Sequence, residues 1–516
     1  MNTIIETSKG KVRGATRGDV RIFRGIPFAR PPVGDLRFRP TRPLEPWSGV
    51  RDATSFGARS MQVPNEALEA LIGRAPEQPP IDEDCLYLNV WTPGANGGGR
   101  PVMVWIHGGG FTIGTGSELL YDGTILASRG DVVVVTINYR LGALGFLYAP
   151  DFADAEGEPC TNFGMLDQVA ALEWVRDEIA AFGGDPNNVT IFGESAGAMS
   201  VGALMASPKA AGLFARAILQ SGAAHNVLTV DEARANATAF AEALGAKDLT
   251  ANRLRSVPAT DILQAQTRME ASAREAMRDG PPVKMRFQPV VDGHFLCEMP
   301  IDTIRGGLSK DVSVLIGTNA EEWKLFTAMW PALAKMSENE AARRVGWLVS
   351  SDGDPERGRA ILEVYREARA ARNETTGAFD LFSAAQTDQF FRVPADRLAE
   401  AQAVHQRQVF AYRFDWRSPV ANGALGACHA LDLPFVFGTQ RLVPAFAGEG
   451  AEADALAKKV VDAWLAFACS GDPSTDARDW PRFDLEHRST MILDRECSVE
   501  ELPNEAERRC WQSIIG

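Results

Sequence analysis

Six short runs of consecutive apolar, largely β-branched residues limit what this chain can fold into. They are Val102-Met103-Val104-Trp105-Ile106, Val132 to Ile137, Val189-Thr190-Ile191-Phe192, Ala217-Ile218-Leu219, Val312 to Ile316 and Val409 to Phe414. A strand with one wet face alternates apolar with polar, so an unbroken apolar run needs cover on both faces. Helical patterns lie between the runs. From Met165 to Phe182, the residues Leu166, Val169, Ala170, Leu172, Trp174, Val175 and Ile179 trace one apolar face. That pattern stops at Gly183-Gly184-Asp185-Pro186, where glycine can adopt a left-handed cap and proline forbids continuation. Strands alternating with helices read as a mostly parallel α/β sheet flanked by helices. Residues 226–300 and 325–400 are rich in Ala, Glu and Arg at helical spacing. Both stretches are read as helical insertions that shape a pocket; for any one helix, simply completing the globule is an equal alternative. The 516 residues would make about three average domains, but large α/β folds exceed that length, and 1–516 is read as a single domain.

Charge narrows the partners. Lys and Arg number 53 against 67 Asp and Glu, a net charge of −14. Such a surface repels phosphate backbones, so nucleic acid is not an expected partner. No run of roughly 18 apolar residues is present, so no membrane span is expected, and Met1 to Thr7 does not resemble a signal peptide. The seven cysteines are scattered, odd in number and form no CxxC pair. Free thiols and a cytoplasmic location are the expectation.

The chemistry centres on Gly193-Glu194-Ser195-Ala196-Gly197, a G-x-S-x-G pentapeptide between the run Val189–Phe192 and a helical stretch from Ala198 to Met205. A serine on a sharp strand-to-helix turn sits in strained backbone, and its neighbours must be small. Gly193, Ala196, Gly197 and Ala198 meet that need, and the helix N-terminus offers free N–H groups. Ser195 is therefore the candidate nucleophile. After the run ending at Ile106 comes His107-Gly108-Gly109-Gly110-Phe111. Its glycines let backbone approach a carbonyl closely, and the N–H groups of Gly109, Gly110 and Ala196 are the expected oxyanion hole. His107 is read as a brace of this loop rather than a base. The spacing of Gly108 to Gly116 matches neither G-x-G-x-x-G nor a P-loop.

With these motifs stand Phe23-Arg24-Gly25-Ile26-Pro27-Phe28-Ala29, Pro31-Pro32-Val33-Gly34, Leu36-Arg37-Phe38, Glu83-Asp84-Cys85-Leu86-Tyr87-Leu88-Asn89-Val90-Trp91, and Asn138-Tyr139-Arg140-Leu141-Gly142. Together they resemble the type-B carboxylesterase family over nearly the whole chain. The resemblance implies an α/β-hydrolase fold and a carboxylic ester hydrolase working without metal or organic cofactor through an acyl-enzyme. It also implies the remaining site residues. The family's acid lies in a G-T-x-x-D-E-G pattern, which here reads Gly317-Thr318-Asn319-Ala320-Glu321-Glu322-Trp323. The acid maps onto Glu322, with Glu321 the rival one residue away. Trp323 replaces the usual glycine and would be strained if positive φ were required there. The histidine precedes a P-F-V-F-G stretch, here Pro434 to Gly438, and maps onto His429. The order Ser…Glu…His agrees with the fold. Glu194 and Ser221 map onto positions supporting the triad. His225, His294, His405 and His487 lack such flanks.

Three departures shape the expected specificity. Residues 56–84 hold no cysteine to bridge Cys85, Ser60 to Asp84 hold no aromatic residue to grip a quaternary ammonium, and the C-terminus is no retention signal. The expected substrate is a small ester of short to medium chain or aromatic character, not a choline ester. The alternatives are a lipase for longer acyl chains and a non-catalytic family member used for binding. The expected assembly is a monomer or weak homo-oligomer.

Overall fold

The computed structural model describes residues 3–66, 71, 78–94, 98–153, 157, 160–328 and 330–515. The loop from Ser60 to Asp84 lies partly outside the described residues, as do Met1, Gly516 and residue 329 of the second helical stretch.

Fourteen strands are described: β1 (Ile4–Glu6), β2 (Lys11–Arg13), β3 (Ala15–Arg17), β4 (Val20–Pro27), β5 (Val50–Asp52), β6 (Tyr87–Pro93) and β7 (Arg100–Ile106), followed by β8 (Val133–Ile137), β9 (Gly184–Glu194), β10 (Arg216–Gln220), β11 (Ser313–Asn319), β12 (Val409–Phe414), β13 (Thr490–Leu493) and β14 (Ser498–Glu500). β1, β2 and β5 form a small sheet; the other eleven form one large sheet in the order β14-β13-β12-β11-β10-β9-β7-β8-β6-β4-β3. Every pairing from β8 across to β13 is parallel. The β13–β14 pair and the β3, β4, β6 and β8 pairs at the other edge are antiparallel. All six apolar runs fall in the parallel region.

Burial explains why those runs are continuous. Along β7, Val102, Val104 and Ile106 pack into one core together with Val133, Val135, Ile191 and Leu219. Met103 and Trp105 point into a second core with Val134, Phe192, Ile218 and Leu315. The strand period of two divides consecutive apolar residues between two dry faces. The antiparallel edge was less legible: β4 carries Arg21, Arg24 and Gly25, and its register slips between Phe23 and Ile26.

The helical pattern from Met165 becomes a helix Phe163–Glu178 that tightens into a 3-10 turn Ile179–Phe182 and stops at Gly183 with φ 86°. Between β10 and β11 lie helices Val230–Leu244, Ala251–Ser256, Ala259–Asp279 and Pro300–Arg305. Thr229 opens the first with a capping box, accepting from the Glu232 N–H while Glu232 accepts from its own. Between β11 and β12 run helices from Trp323 to Ala403, interrupted by a π-turn Asp388–Arg392.

The loop after β8 is locked to the sheet's cover by a buried ion pair. Arg140 Nε and Nη2 lie 2.8 and 2.7 Å from Oδ2 and Oδ1 of Asp167, on the helix Phe163–Glu178. Its Nη1 donates to the Arg39 carbonyl. Removing one partner leaves a buried charge unpaired, a change that typically costs about 3–5 kcal/mol. D167A is expected to lower stability in urea unfolding by about that amount, and D167L combined with R140M to recover part of it.

Candidate active site

β9 ends at Glu194 and a helix Ala196–Met205 begins two residues later, so Ser195 carries the whole reversal. Its backbone stands at φ 55°, ψ −124°, a conformation that costs a non-glycine residue about 1–3 kcal/mol. The turn is pinned on both sides: Ser195 N–H donates to the Gln220 carbonyl, and its own carbonyl accepts from Met199 N–H, each at 2.9 Å. Steric crowding explains the small neighbours. A Cβ on Gly193 would lie 2.5 Å from the Gly197 carbonyl carbon, and one on Gly197 would lie 2.0 Å from the Ile106 oxygen.

The glycine loop after β7 presses against this turn, because β7 and β9 are parallel neighbours that end at the same edge. A Cβ on Gly108 would sit 2.7 Å from the Glu194 carbonyl oxygen and 3.1 Å from Ser195 Cβ. Gly109 and Gly110 have φ 107° and 60°. Among the described residues, no hydrogen bond within the protein occupies the N–H groups of Gly109, Gly110 or Ala196. His107 is a brace: fully buried, it stacks on Tyr139, and its Nδ1 lies 2.9 Å from the Gly108 carbonyl. Burial lowers its pKa to about 4, so it stays neutral.

The two glutamates of the acid turn part company. Glu322 is fully buried, with Oε2 2.7 Å from His429 Nδ1. Its Oε1 accepts from Ser221 Oγ at 2.5 Å and from the Asn319 N–H at 2.7 Å. Glu321 points the other way, to Lys324 at 2.6 Å and Arg417 at 2.5 Å. Against the upward pull of its burial, those two cations hold its carboxyl below the usual range. Trp323 opens the helix Trp323–Ala328 without positive φ, so the feared strain does not arise.

The far side of the imidazole faces Glu194, whose Oε1 lies 3.1 Å from His429 Nε2. That oxygen is buried and, among the described residues, has no hydrogen-bond partner. No hydrogen bond joins Ser195 Oγ to Nε2 among the described residues; such contacts often tighten only when substrate is bound. Burial raises the Glu194 pKa despite the opposing pull of His429. Burial would lower the His429 pKa, but Glu194, the hydrogen bond and charge of Glu322, and Asp432 together outweigh it and raise it.

Two groups of site residues went unnoticed in the sequence. Asp432, buried three residues after His429, accepts from Gln220 Nε2 at 2.8 Å and from Asn319 Nδ2 at 3.3 Å. Nothing in the local sequence flags it. An aromatic wall also surrounds the imidazole: Phe391 and Phe326 lie 4.8 and 5.1 Å from its ring, with Trp323 and Phe390 packed against them. In sequence, the three phenylalanines lie unremarked in the stretch 325–400 read as a helical insertion, and Trp323 stands out only as a replacement for glycine. Among the described residues, no cluster of His, Cys, Asp or Glu could hold a metal ion, and no helix is long and apolar enough to cross a membrane.

A family model described as "Carboxylesterase family" matches residues 1–511. The chain belongs to the carboxylesterase family. The para-nitrobenzyl esterase of Bacillus subtilis is 40% identical over 512 residues, covering 98% of this chain and 97% of that protein. The phenmedipham hydrolase of Pseudarthrobacter oxydans is 36% identical, covering 95% and 94%. A solved carboxylesterase of Geobacillus stearothermophilus superposes with a TM-score of 0.84 at 40% identity, covering 99% of this chain and 100% of that one. A solved PNB esterase gives 0.85 at 38%, with 99% of each chain covered. The fold is that of the α/β-hydrolases, and this carboxylesterase is a carboxylic ester hydrolase.

The crowding at Gly108 yields a direct test. G108A places a methyl group against backbone and the Ser195 Cβ, so kcat for a para-nitrophenyl ester is expected to fall by about 100-fold or more, the scale of a misplacement near 1 Å. G94A, where φ is not positive and a Cβ meets nothing within 4 Å, is expected to leave the rate near wild type.

Proposed function

We propose that this carboxylesterase cleaves its ester through Ser195, His429 and Glu322 by way of an acyl-enzyme. The 2.7 Å contact between Glu322 and His429 Nδ1 carries the reading. A carboxylate there fixes the tautomer with the proton on Nδ1, leaves Nε2 free to accept the Ser195 proton, and stabilises the imidazolium that forms. The alkoxide attacks the ester carbonyl, and the resulting oxyanion rests on the N–H groups of Gly109, Gly110 and Ala196. The imidazolium returns its proton to the departing alcohol. Water then enters, loses a proton to His429 and releases the acid. Only side chains, backbone and water take part in these steps. Ser221 and Glu194 hold the two ends of the relay, one by its hydrogen bond to Glu322 and the other by facing Nε2.

The substrate class follows from the wall beside the base. Phe326, Phe391, Phe390 and Trp323 offer aromatic faces to a leaving or acyl group, which suits aromatic and short to medium chain esters. The relatives named for para-nitrobenzyl esters and phenmedipham agree with that choice. The enzyme is read as a cytoplasmic monomer or weak homo-oligomer that binds no nucleic acid. Seven free cysteines and the net charge of −14 support this reading.

A fluorophosphonate probe is expected to label wild type and not S195A; an unlabelled wild type would overturn the mechanism. E322Q is expected to lower kcat by roughly 10³- to 10⁴-fold, the scale of losing the correct tautomer, while E321Q loses far less. The pH profile tests the charges around the ring. His429 acts as a base only when neutral, and its raised pKa moves the acidic limb of kcat/KM above the ordinary imidazole value near 6.5. E194Q removes the foremost raising charge, so its limb is expected at lower pH by roughly one unit or more.

A further inference from the structure

The turn that carries Glu322 is held by more than its own strand. Ala320 N–H donates to the Phe414 carbonyl and Glu321 N–H to the Ala427 carbonyl, both at 2.9 Å. Trp323 N–H donates to Thr387 Oγ1 at 3.1 Å. His429 N–H donates to the Glu322 carbonyl at 3.3 Å, and a side-chain tie comes from the π-turn Asp388–Arg392: Arg392 Nη2 donates to the Ala320 carbonyl at 3.0 Å, two residues before Glu322. The other arm of the same guanidinium, Nη1, grips Asp388 Oδ1 at 2.5 Å. Asp388 Oδ2 accepts from Tyr365 hydroxyl at 2.6 Å, and that hydroxyl accepts from Trp511 Nε1 at 2.7 Å. A continuous hydrogen-bonded path thus runs from the helix Glu505–Ile515 to the acid turn.

From this geometry we infer that Arg392 is a positioning residue of the esterase reaction, its forked guanidinium bridging Asp388 to the Ala320 carbonyl and so fixing the turn that aims Glu322 at His429. This inference rests on the proposed role of Glu322. A π-turn adds one residue to a helical turn and recurs at functional sites. Here it places Phe391 against the His429 ring and Arg392 against the acid turn. Two arms are required: a guanidinium reaches two acceptors from a rigid plane, whereas an ammonium is a single point charge on a flexible stem. Asp388 and Arg392 are largely buried, with side chains 4% and 13% exposed, so the clamp is little diluted by water.

The charges around these groups set the sign of the test. Glu194, Glu322 and Asp432 are the foremost charged groups acting on the His429 ring. Arg392 is itself a cation, so removing its charge alone would raise the His429 pKa, whereas displacing Glu322 lowers it; the direction of the shift separates the two. The groups facing Arg392 and its partner are Asp388 and Asp396 on its own helical stretch, Tyr365 and Arg372 from the helix Pro355–Ala371 and its end, and Glu507 from the helix Glu505–Ile515.

R392M, R392K and E322Q are to be compared with wild type on a para-nitrophenyl ester, reading kcat, KM and the acidic limb of kcat/KM. R392M is expected to lower kcat by about 10- to 100-fold with KM within about twofold. Its limb should shift to lower pH, because the imidazole loses the hydrogen bond that raises its pKa. R392K should fall between the two. The limb's position does not depend on how much protein is folded, so it remains readable if the variants are less stable; should R392M yield no folded protein, R392K decides. Wild-type kcat and limb, a change confined to KM, or a change confined to thermal stability would each overturn the inference. If E322Q is crippled while R392M behaves as wild type, only this inference fails; if E322Q keeps its rate, the triad itself fails.

Discussion

The reversal of the chain at Ser195 governs everything around it. An L-residue at φ 55°, ψ −124° is held there only by what presses against it. That pressure comes from backbone: the loop after β7 lies so close that neither Gly108 nor Gly197 can carry a Cβ without a clash. The strain that exposes the hydroxyl and the close approach that offers main-chain N–H groups are one packing arrangement. Parallel pairing of β7 with β9 produces both, since it brings the ends of the two strands to one edge.

Around this frame the structure concentrates acid. Glu194, Glu322 and Asp432 are buried beside a single imidazole, each supplied by a different segment. Their hydrogen bonding differs sharply. Glu322 is held by three donors, Asp432 by side-chain amides, and Glu194 Oε1 by none among the described residues. Burial raises the Glu194 pKa and so favours its neutral form. The pair Glu194 and His429 titrates jointly, because each sets the other's charge cost.

What the sequence revealed and what it hid have physical reasons. The parallel strands were legible because burial on two faces demands unbroken apolar runs, and the serine turn because crowding demands glycine. The edge strands β4 and β6 were not read from periodicity, since β4 mixes arginines with its apolar residues and bends at a bulge. Spacing could not separate Glu321 from Glu322, because adjacent residues differ only in direction; burial and the cations Lys324 and Arg417 separate them. Trp323 looked like a conflict only while its position was taken to need positive φ; the turn instead runs straight into a helix. Asp432 and the phenylalanines around the ring were invisible because their partners are distant in sequence.

The site draws on the ends of β7, β9, β11 and β12, strands whose sequence spans more than three hundred residues. During synthesis the hydroxyl at 195 emerges long before the imidazole at 429. On the proposed mechanism the nascent chain is therefore chemically mute until β12 has docked beside β11. On that mechanism a growing polypeptide of this kind cannot attack the esters around it, and the appearance of turnover doubles as a clock for the docking of β12, ahead of β13 and β14 at the sheet's edge.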